Sequence, residues 1–301
     1  MQSEGGIKQT GKQRLSLNRL DYFLLLITLI AISWLYYRSS IGVNYQWHWA
    51  AAIDLVFTAR RDGSLPYFFQ GLISTIRLTG WGMCFALIVG TLIGIARHTR
   101  FPLFRTPALL YIQLIRNIPP LVFIFIFYFF ISNQLIPLLG LDNLLRNSNT
   151  DTNPIALFLF GPTNLWENLL SGVLCIGLLS AAYIAEVVRS GLEGIDKGQW
   201  EASQTLGLST WSKYRYVIGP QVLSNITPPL AGQAISLVKD SSIVSLISIQ
   251  ELTFSGTEIA NSSGLIFEIW IFVGICYLLL CLSLSLIFSR IESNSRKHLI
   301  K

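Results

Sequence analysis

Few residues of this chain could do chemistry, and most of them lie inside or beside long apolar runs. Seven polar residues stand out in that setting: Arg116, Asn117, Glu186, Lys239, Asp240, Ser241 and Ser242. Ionisable groups within a membrane span are costly, so they usually line a polar path or pair with each other. Two interpretations therefore stay open for Lys239 and Asp240: contact with a substrate, or a structural role in helix packing.

The position of these charges depends on where their helix begins. A helix over residues 230–249 would place Lys239 and Asp240 near the middle of the membrane, whereas a helix starting at Gln221 would move them toward the outer end. We favour the middle position. As neighbours in sequence the two side chains point to different faces of the helix, and Ser241 and Ser242 would add hydrogen-bond donors for a carboxylate.

The polar residue Arg116 precedes a proline pair, and two roles are open for it. Its long side chain could reach the inner edge of the membrane, or its guanidinium could pair with Glu186. A structural role is favoured over contact with a substrate. The prolines at 119 and 120 predict a kink or break in the apolar run around them.

A polar stretch, Gly198 to Pro220, is a different candidate, because it is too polar to be embedded and too rich in helix formers to be a flexible linker. A helix is expected to begin at Asp196 or Lys197 and to end at Gly207, which can take a positive φ, and Ser209 would begin a second helical turn. Small side chains at 202 and 203 would let a partner surface come close. A docking knob and a structured linker both remain open here.

Composition indicates the elements that hold these residues. The chain has 301 residues, of which 52% are hydrophobic and 13% charged, and its mean hydropathy is +0.53. Because charged residues make up about a quarter of a soluble domain, these values indicate an integral membrane protein. The net charge of +6 lies in short clusters beside apolar runs. That pattern is typical of positive-inside topology and excludes a nucleic-acid-binding face.

Six apolar runs predict about six transmembrane helices with both termini in the cytoplasm. The runs are Leu20–Tyr37, Tyr67–Ala96, 107–132, Asn168–Val188, Gln221–Ile249 and Leu265–Ser289. External loops are expected at Ser39–Pro66, at Asn133–Glu167 and at Glu251–Glu258. Small residues in the fourth run predict close helix packing. The resulting fold class is an all-α integral membrane protein.

No catalytic constellation accompanies these spans. All four cysteines lie in apolar runs, and neither a metal-ligand spacing nor a Ser/His/Asp grouping is present. Residues Gly6 to Lys12 spell GxxxxGK, but Gln13 replaces the Ser or Thr that would hold Mg²⁺, and the context is a polar tail. The chain is therefore predicted not to be an enzyme, and a membrane-embedded enzyme is the weakest of the alternatives.

The polar stretch resembles the EAA loop of ABC-importer permeases, usually written EAA-x3-G-x9-I-x-L-P. The matching residues are Glu201, Ala202, Gly207 and Pro220, and the departures are Ser203, Val217 and Gly219. Of these, Gly219 in place of Leu loses a packing side chain. Further segments resemble the permeases of polar amino-acid uptake systems: 115–121 (IRNIPPL), 182–191 (AYIAEVVRSG), 197–202 (KGQWEA), 219–221 (GPQ), 239–242 (KDSS) and 250–253 (QELT).

This resemblance implies a type I ABC-importer permease fold and a set of partners. It implies two ABC ATPase subunits, a second permease subunit that is identical or related, and an external or periplasmic amino-acid-binding protein. ATP and Mg²⁺ would be used by the ATPases, with no cofactor bound by this chain. The coupling residues would be Gly198, Gln199, Glu201, Ala202, Ser203, Gly207 and Pro220.

The expected organisation and setting follow from this. Residues 1–66 would form a cytoplasmic tail, a first span and an external loop, 67–291 the permease core with its coupling loop near 190–220, and 292–301 a cytoplasmic tail. The expected location is the bacterial inner membrane. One alternative is a secondary transporter or channel for small polar solutes, which often has paired broken helices; here one proline-interrupted segment lies in each half, around Pro119 and Pro228.

Overall fold

The computed structural model describes residues 19–42, 45–59, 65–140 and 154–297. The GxxxxGK pattern, the outermost basic residues of both tails and residues 141–153 of the 133–167 stretch lie outside these ranges. Residues 1–47 and 48–301 form two separate compact units. In the first unit, helix α1 (Arg19–Gly42) exposes large apolar side chains on all sides between Leu20 and Tyr37, as a helix in lipid does.

The second unit is helical throughout its described part. Its helices are α2 (Trp49–Phe57), α3 (Tyr67–His98), α4 (Pro102–Asn117), α5 (Pro120–Phe130), α6 (Pro154–Phe160), α7 (Trp166–Glu193), α8 (Lys197–Thr205), α9 (Gly219–Asp240), α10 (Leu252–Ser263) and α11 (Ile266–Lys297). Helix α5 continues through a π-helical turn, Ile131–Leu135, to Leu138. A 3₁₀ segment, Ser241–Ile247, extends α9.

Five helical segments in the described residues are long and apolar enough to cross a membrane: Leu20–Arg38, Tyr67–His98, Ile155–Glu193, Thr210–Ile247 and Ile266–Glu292. Helices α4 and α5 form a sixth candidate as a pair bent by 118° at Ile118 and Pro119. The expected break at the proline pair is confirmed, and about six spans are reached when the bent pair counts as one.

Close packing of α3 against α7 forms the centre of the second unit. A Cβ atom added at Gly90 would lie 2.8 Å from the carbonyl oxygen of Ala181, and one added at Gly94 would lie 2.7 Å from that of Ala185. These distances leave no room for a side chain, so the backbones touch, as membrane helices do where small residues meet. The small residues of the fourth apolar run therefore serve the packing role that the sequence predicts.

All three stretches expected as external loops are partly helical, and the described residues of 133–167 include the end of the extended α5 and the whole of α6. Residues 39–66 contain α2, whose Ala52 and Val56 are buried in an apolar cluster with Phe68. The stretch from Glu251 to Glu258 lies mostly in α10, and the Glu251 side chain is fully buried as the N-cap of that helix. A charged residue favours exposure, but a buried carboxylate that accepts backbone hydrogen bonds at a helix N-terminus is also stable.

Candidate functional site

The polar stretch between α7 and α9 forms the two short helical pieces that the sequence predicts. Asp196 caps α8, with its side chain accepting a hydrogen bond from the Gly198 nitrogen at 2.6 Å. The chain reverses at Gly207, whose φ is +67°. Ser209 then caps the next helical turn, accepting from the Ser212 nitrogen at 3.1 Å. We call residues 194–218 the coupling loop.

Aromatic side chains hold this loop against the helices beside it. The Trp200 ring lies 6.1 Å from that of His98 at the end of α3, and 5.6 Å from that of Tyr214 in edge-on contact. Ile195 and Ile218 are buried in the same apolar cluster as Ile184 of α7. Because both ends and the middle of the loop are packed, it is fixed to the ends of α3, α7 and α9.

One face of α8 is open. Gly198, Glu201, Ala202 and Thr205 follow the i, i+3, i+4, i+7 spacing of a single helix face, and all four are exposed. The Glu201 carboxylate forms no hydrogen bond or ion pair with any residue in the described ranges. Gln199 accepts from the Gln221 side chain at 3.2 Å.

Ser203 has a different place from the one expected. It is 1% exposed, and its hydroxyl donates to the Trp200 carbonyl at 2.8 Å, so it cannot touch a partner. Of the two small side chains expected at a partner surface, only that of Ala202 lies on the outer face. Sequence reasoning also missed two large apolar side chains on the loop: Leu206 is 77% exposed and Trp211 75% exposed.

The departure at Gly219 has a local cause. Pro220 has no N–H to bond to the carbonyl four residues earlier, and residues Lys213–Ile218 form a π-helical turn in which the Gly219 nitrogen donates to the Tyr214 carbonyl. That carbonyl oxygen lies where a Cβ of residue 219 would be. A leucine at this position therefore does not fit. The π-helical turn can form only because residue 219 has no side chain.

A cluster of charges joins α3 to α7 beside the loop. The Glu186 carboxylate pairs with Arg97 of α3, and it also accepts from Arg189 at 2.6 Å. Arg189 pairs in addition with Glu193. Glu186 thus pairs with Arg97 and Arg189, and the direct pair with Arg116, one of the two alternatives left open for that arginine, is not formed.

Arg116 and Asn117 end α4 just before the break. The Arg116 guanidinium lies 5.6 Å above the ring of Tyr183, one turn before Glu186, in a cation–π arrangement. The Asn117 side chain donates to the carbonyl of Gln113 at 2.6 Å. Both residues are exposed.

The segment from Thr210 to Ile247 carries the loop into the membrane as an uninterrupted helical stretch. Helix α9 begins at Gly219, so the start near Leu230 on which the mid-membrane position depended is wrong. Leu237 nevertheless packs against Gly82, which lies halfway along α3. A Cβ atom added at Gly82 would lie 3.7 Å from the Cδ2 atom of Leu237. Lys239 and Asp240 follow within one turn. The first turns of α9 lie near Gly191 instead, at the loop end of α7.

At that level Lys239 is exposed and Asp240 is half-buried. In the described part of the chain neither side chain forms a hydrogen bond or an ion pair with a partner. The hydroxyls of Ser241 and Ser242, expected to be donors for a carboxylate, donate here at 2.7 Å to the carbonyls of Val238 and Lys239.

An exposed stripe on α9 connects the loop end with these charges. It contains Asn225, Pro229, Gly232 and Lys239, whose spacing of four, three and seven residues keeps them on one face. An asparagine and a lysine at membrane depth do not face lipid tails. This face therefore adjoins water or another protein surface.

A buried polar network that the sequence did not indicate lies beyond the charges. Glu251 accepts from the Phe254 nitrogen at 2.8 Å and from the Tyr277 hydroxyl at 2.7 Å, and the Thr75 hydroxyl accepts from the Leu252 nitrogen at 3.0 Å. It ties α3, α10 and α11 together. The described residues contain no group of His, Cys, Asp and Glu that could hold a metal ion.

Comparison with known proteins identifies a family that this chain matches. Residues 86–297 match the family described as "Binding-protein-dependent transport system inner membrane component". The chain is 30% identical over 237 residues to a probable amino-acid ABC transporter permease protein, YckA, of Bacillus subtilis, covering 79% of this chain and 92% of that protein. It is 32% identical over 229 residues to the glutamine transport system permease protein GlnP of Escherichia coli K12, covering 76% and 93%.

A solved structure agrees with these relatives. The fold is similar to the crystal structure of an amino acid ABC transporter with histidines, with a TM-score of 0.63 and 27% identity over 83% of this chain and all of that one. The similarity leaves part of this chain unmatched.

Proposed function

Because this chain belongs to the family of binding-protein-dependent transport system inner membrane components, we propose that it is the permease subunit of an ATP-driven uptake system for polar amino acids. It would move substrate inward by alternating access, in the inner membrane of a bacterium and with both termini in the cytoplasm. The chain itself is not an enzyme. ATP and Mg²⁺ would be bound by partner ATPase subunits, and this chain would bind no cofactor.

One observation supports the coupling role above the others: the outer surface of the coupling loop is unpartnered and chemically suited to a protein contact. An exposed free carboxylate at Glu201 lies on the same loop as Leu206 and Trp211, which are largely exposed. Exposed aromatic and apolar side chains on a polar, rigid loop are typical of a binding surface. We propose that this surface docks in a groove of an ABC ATPase.

Motion of the docked ATPase would reach the membrane through rigid contacts. Trp200 joins α8 to α3 through His98, Glu186 joins α3 to α7, and the helical stretch from Thr210 leads to Lys239 and Asp240. A rigid element transmits a rigid-body displacement, whereas a flexible loop would absorb it.

We propose that the exposed stripe of α9 lines the substrate path opposite a second permease subunit. A zwitterionic amino acid offers a carboxylate and an ammonium, which complement Lys239 and Asp240. Arg116 and Asn117 lie at the break before α5, and α5 shares an apolar cluster with Leu237, so they are the next candidates for the path. Asp240→Ala is expected to reduce uptake while ATPase subunits still co-purify.

Uptake into proteoliposomes tests the function as a whole. The chain is purified with its co-purifying subunits, reconstituted with ATP inside, and supplied outside with its binding protein and radiolabelled polar amino acids. We expect accumulation that needs both ATP and the binding protein. Accumulation driven by an ion gradient without ATP would support the secondary-transporter alternative and contradict this proposal.

A further inference from the structure

The end of the second unit opposite the coupling loop contains a cavity of mixed polar and apolar lining that the coupling mechanism does not use. Its volume is about 450 Å³, within the range of roughly 300–1,000 Å³ typical of small-molecule sites. Gln70, Ser74 and Arg77 of α3 line it at the i, i+4, i+7 spacing of a single helix face, and Gln250 and Ser255 also line it.

One wall holds a buried hydroxyl without a partner. Ser255 is 1% exposed, and its Oγ atom forms no hydrogen bond with any described residue. Ser74 and Gln250 also have no side-chain hydrogen bond in the described ranges. Since buried hydroxyls in proteins are nearly always hydrogen-bonded, this group indicates an occupant with polar atoms.

The charge of the cavity indicates the chemistry of that occupant. Arg77 is the only ionisable cation lining it, and no described carboxylate lies within ion-pairing distance of its guanidinium. Its Nε and one terminal nitrogen donate to the carbonyls of Phe158 at 2.5 Å and Leu157 at 2.8 Å. These bonds fix the guanidinium and leave the other terminal nitrogen available for an anion.

A larger polar cleft of about 1030 Å³ adjoins the cavity and shares Tyr67, Gln70 and Gln250 with it. Glu258 lines this cleft, where its carboxylate accepts from the Tyr67 hydroxyl. An acid therefore lies in the cleft and a base in the cavity. This field orients a zwitterion with its ammonium toward the cleft and its carboxylate toward Arg77.

We infer that this cavity binds a free amino acid through its carboxylate, held by Arg77 and by the Ser255 and Ser74 hydroxyls. The site is separate from Lys239 and Asp240, so each permease chain would hold an amino acid before it enters the path along α9. This inference rests on the proposed function for the class of its ligand.

Binding to the purified permease–ATPase complex in nanodiscs, without the binding protein, tests the site. The probe is whichever of L-glutamine, L-glutamate, L-arginine and L-histidine the complex imports fastest, in radiolabelled form, and its decarboxylated amine serves as the competitor lacking the carboxylate. If the complex imports none of the four, the proposed function is contradicted. If it imports one, the binding assay tests only the inferred site in the cavity.

Ser255→Ala is expected to weaken binding by about tenfold, as the loss of a hydrogen bond to a charged group does. Ser171→Ala is the matched control, because the Ser171 hydroxyl is also buried and unpartnered but does not line the cavity. Arg77→Gln should weaken binding further and abolish the preference for the acid over the amine.

Three results would overturn the inference: no binding by the wild-type complex at millimolar concentration, equal binding by the Ser255→Ala and Ser171→Ala variants, or binding that only Asp240→Ala removes. A fourth concerns the source of the carboxylate. If free amino acids do not bind, while Ser255→Ala weakens docking of the substrate-free binding protein, a side chain of that protein occupies the cavity, and the inference is wrong.

Discussion

The chain contains two proline pairs within apolar runs, and they have opposite effects. At Pro119 and Pro120 the helix breaks: Ile118 is extended, with ψ at 136°, and the flanking helices meet at 118°. At Pro228 and Pro229 helix α9 continues without interruption. The same local chemistry therefore produces a bend in one place and a continuous helix in the other.

Tertiary packing accounts for the difference. In α9, Val222 and Ile226 are buried before the second proline pair, and Ala234 and Leu237 are buried after it. Packing therefore holds both halves of the helix in line. The first pair is also flanked by buried residues, Ile115 before it and Phe123 after it, but there the packed form is bent, and Ile118 has the extended backbone that a residue before proline prefers. Only one pair breaks its helix, so the paired broken helices expected of the alternative transporter class are absent from the described residues.

The largest expected effect comes from breaking the continuity of α9. One glycine inserted after Pro229 would rotate the rest of the helix by about 100°, so that Lys239 and Leu237 no longer face their present surroundings. Uptake into proteoliposomes should fall to the level of liposomes without the complex. One glycine inserted between Ile118 and Pro119, where the backbone is already extended, should leave measurable uptake. Equal loss in both variants would show that the continuity of α9 has no special role.

Gly207→Pro is expected to have the next largest effect. Proline fixes φ near −65°, whereas this residue has a φ of +67°, so the bend between α8 and the next helical turn cannot form. ATP-dependent uptake should fall at least about tenfold, since the mismatch costs on the order of 3 kcal/mol. Gly207→Asn is the matched control, because asparagine tolerates positive φ, and it should retain most uptake. Comparable uptake by both variants would contradict the role of the bend.

Restoring the common leucine of the EAA pattern at position 219 should be harmful in this chain. Gly219→Leu places a Cβ against the Tyr214 carbonyl, and we expect a loss of about 1–3 kcal/mol in the free energy of unfolding, as in overpacked cores. Thermal unfolding in detergent measures it. Combining Gly219→Leu with Pro220→Ala should recover stability, because the π-helical turn can then relax. A single variant as stable as the wild type would refute the steric explanation.

The smallest effect is expected at the second proline pair itself. Replacing Pro228 and Pro229 by alanine should change the free energy of unfolding by less than about 1 kcal/mol, since each gained hydrogen bond offsets the greater freedom of the unfolded chain. Uptake should stay near the wild-type level. A large loss of uptake would show that the prolines shape α9 and that packing alone does not explain the comparison.

The sequence predicted the apolar spans and the helical form of the coupling loop well, because each of these features depends on residues close together in the chain. The cap at Asp196, the bend at Gly207 and the break before Pro120 each follow from the residue type at one position. The orientation of Ser203, the burial of Glu251 and the choice of Arg97 as the partner of Glu186 were not predictable. Each depends on residues distant in the chain that packing brings together.

The central claim is that the outer face of the coupling loop receives force from an ATPase, and Glu201→Lys tests it most directly. ATPase co-purification, ATP hydrolysis and uptake are measured on one preparation, with Asp54→Lys as control, since Asp54 is an exposed helical acid on α2. We expect co-purification to fall at least about tenfold and stimulated hydrolysis and uptake to disappear, while the control is unaffected. Wild-type co-purification and uptake in the Glu201→Lys variant would contradict the claim.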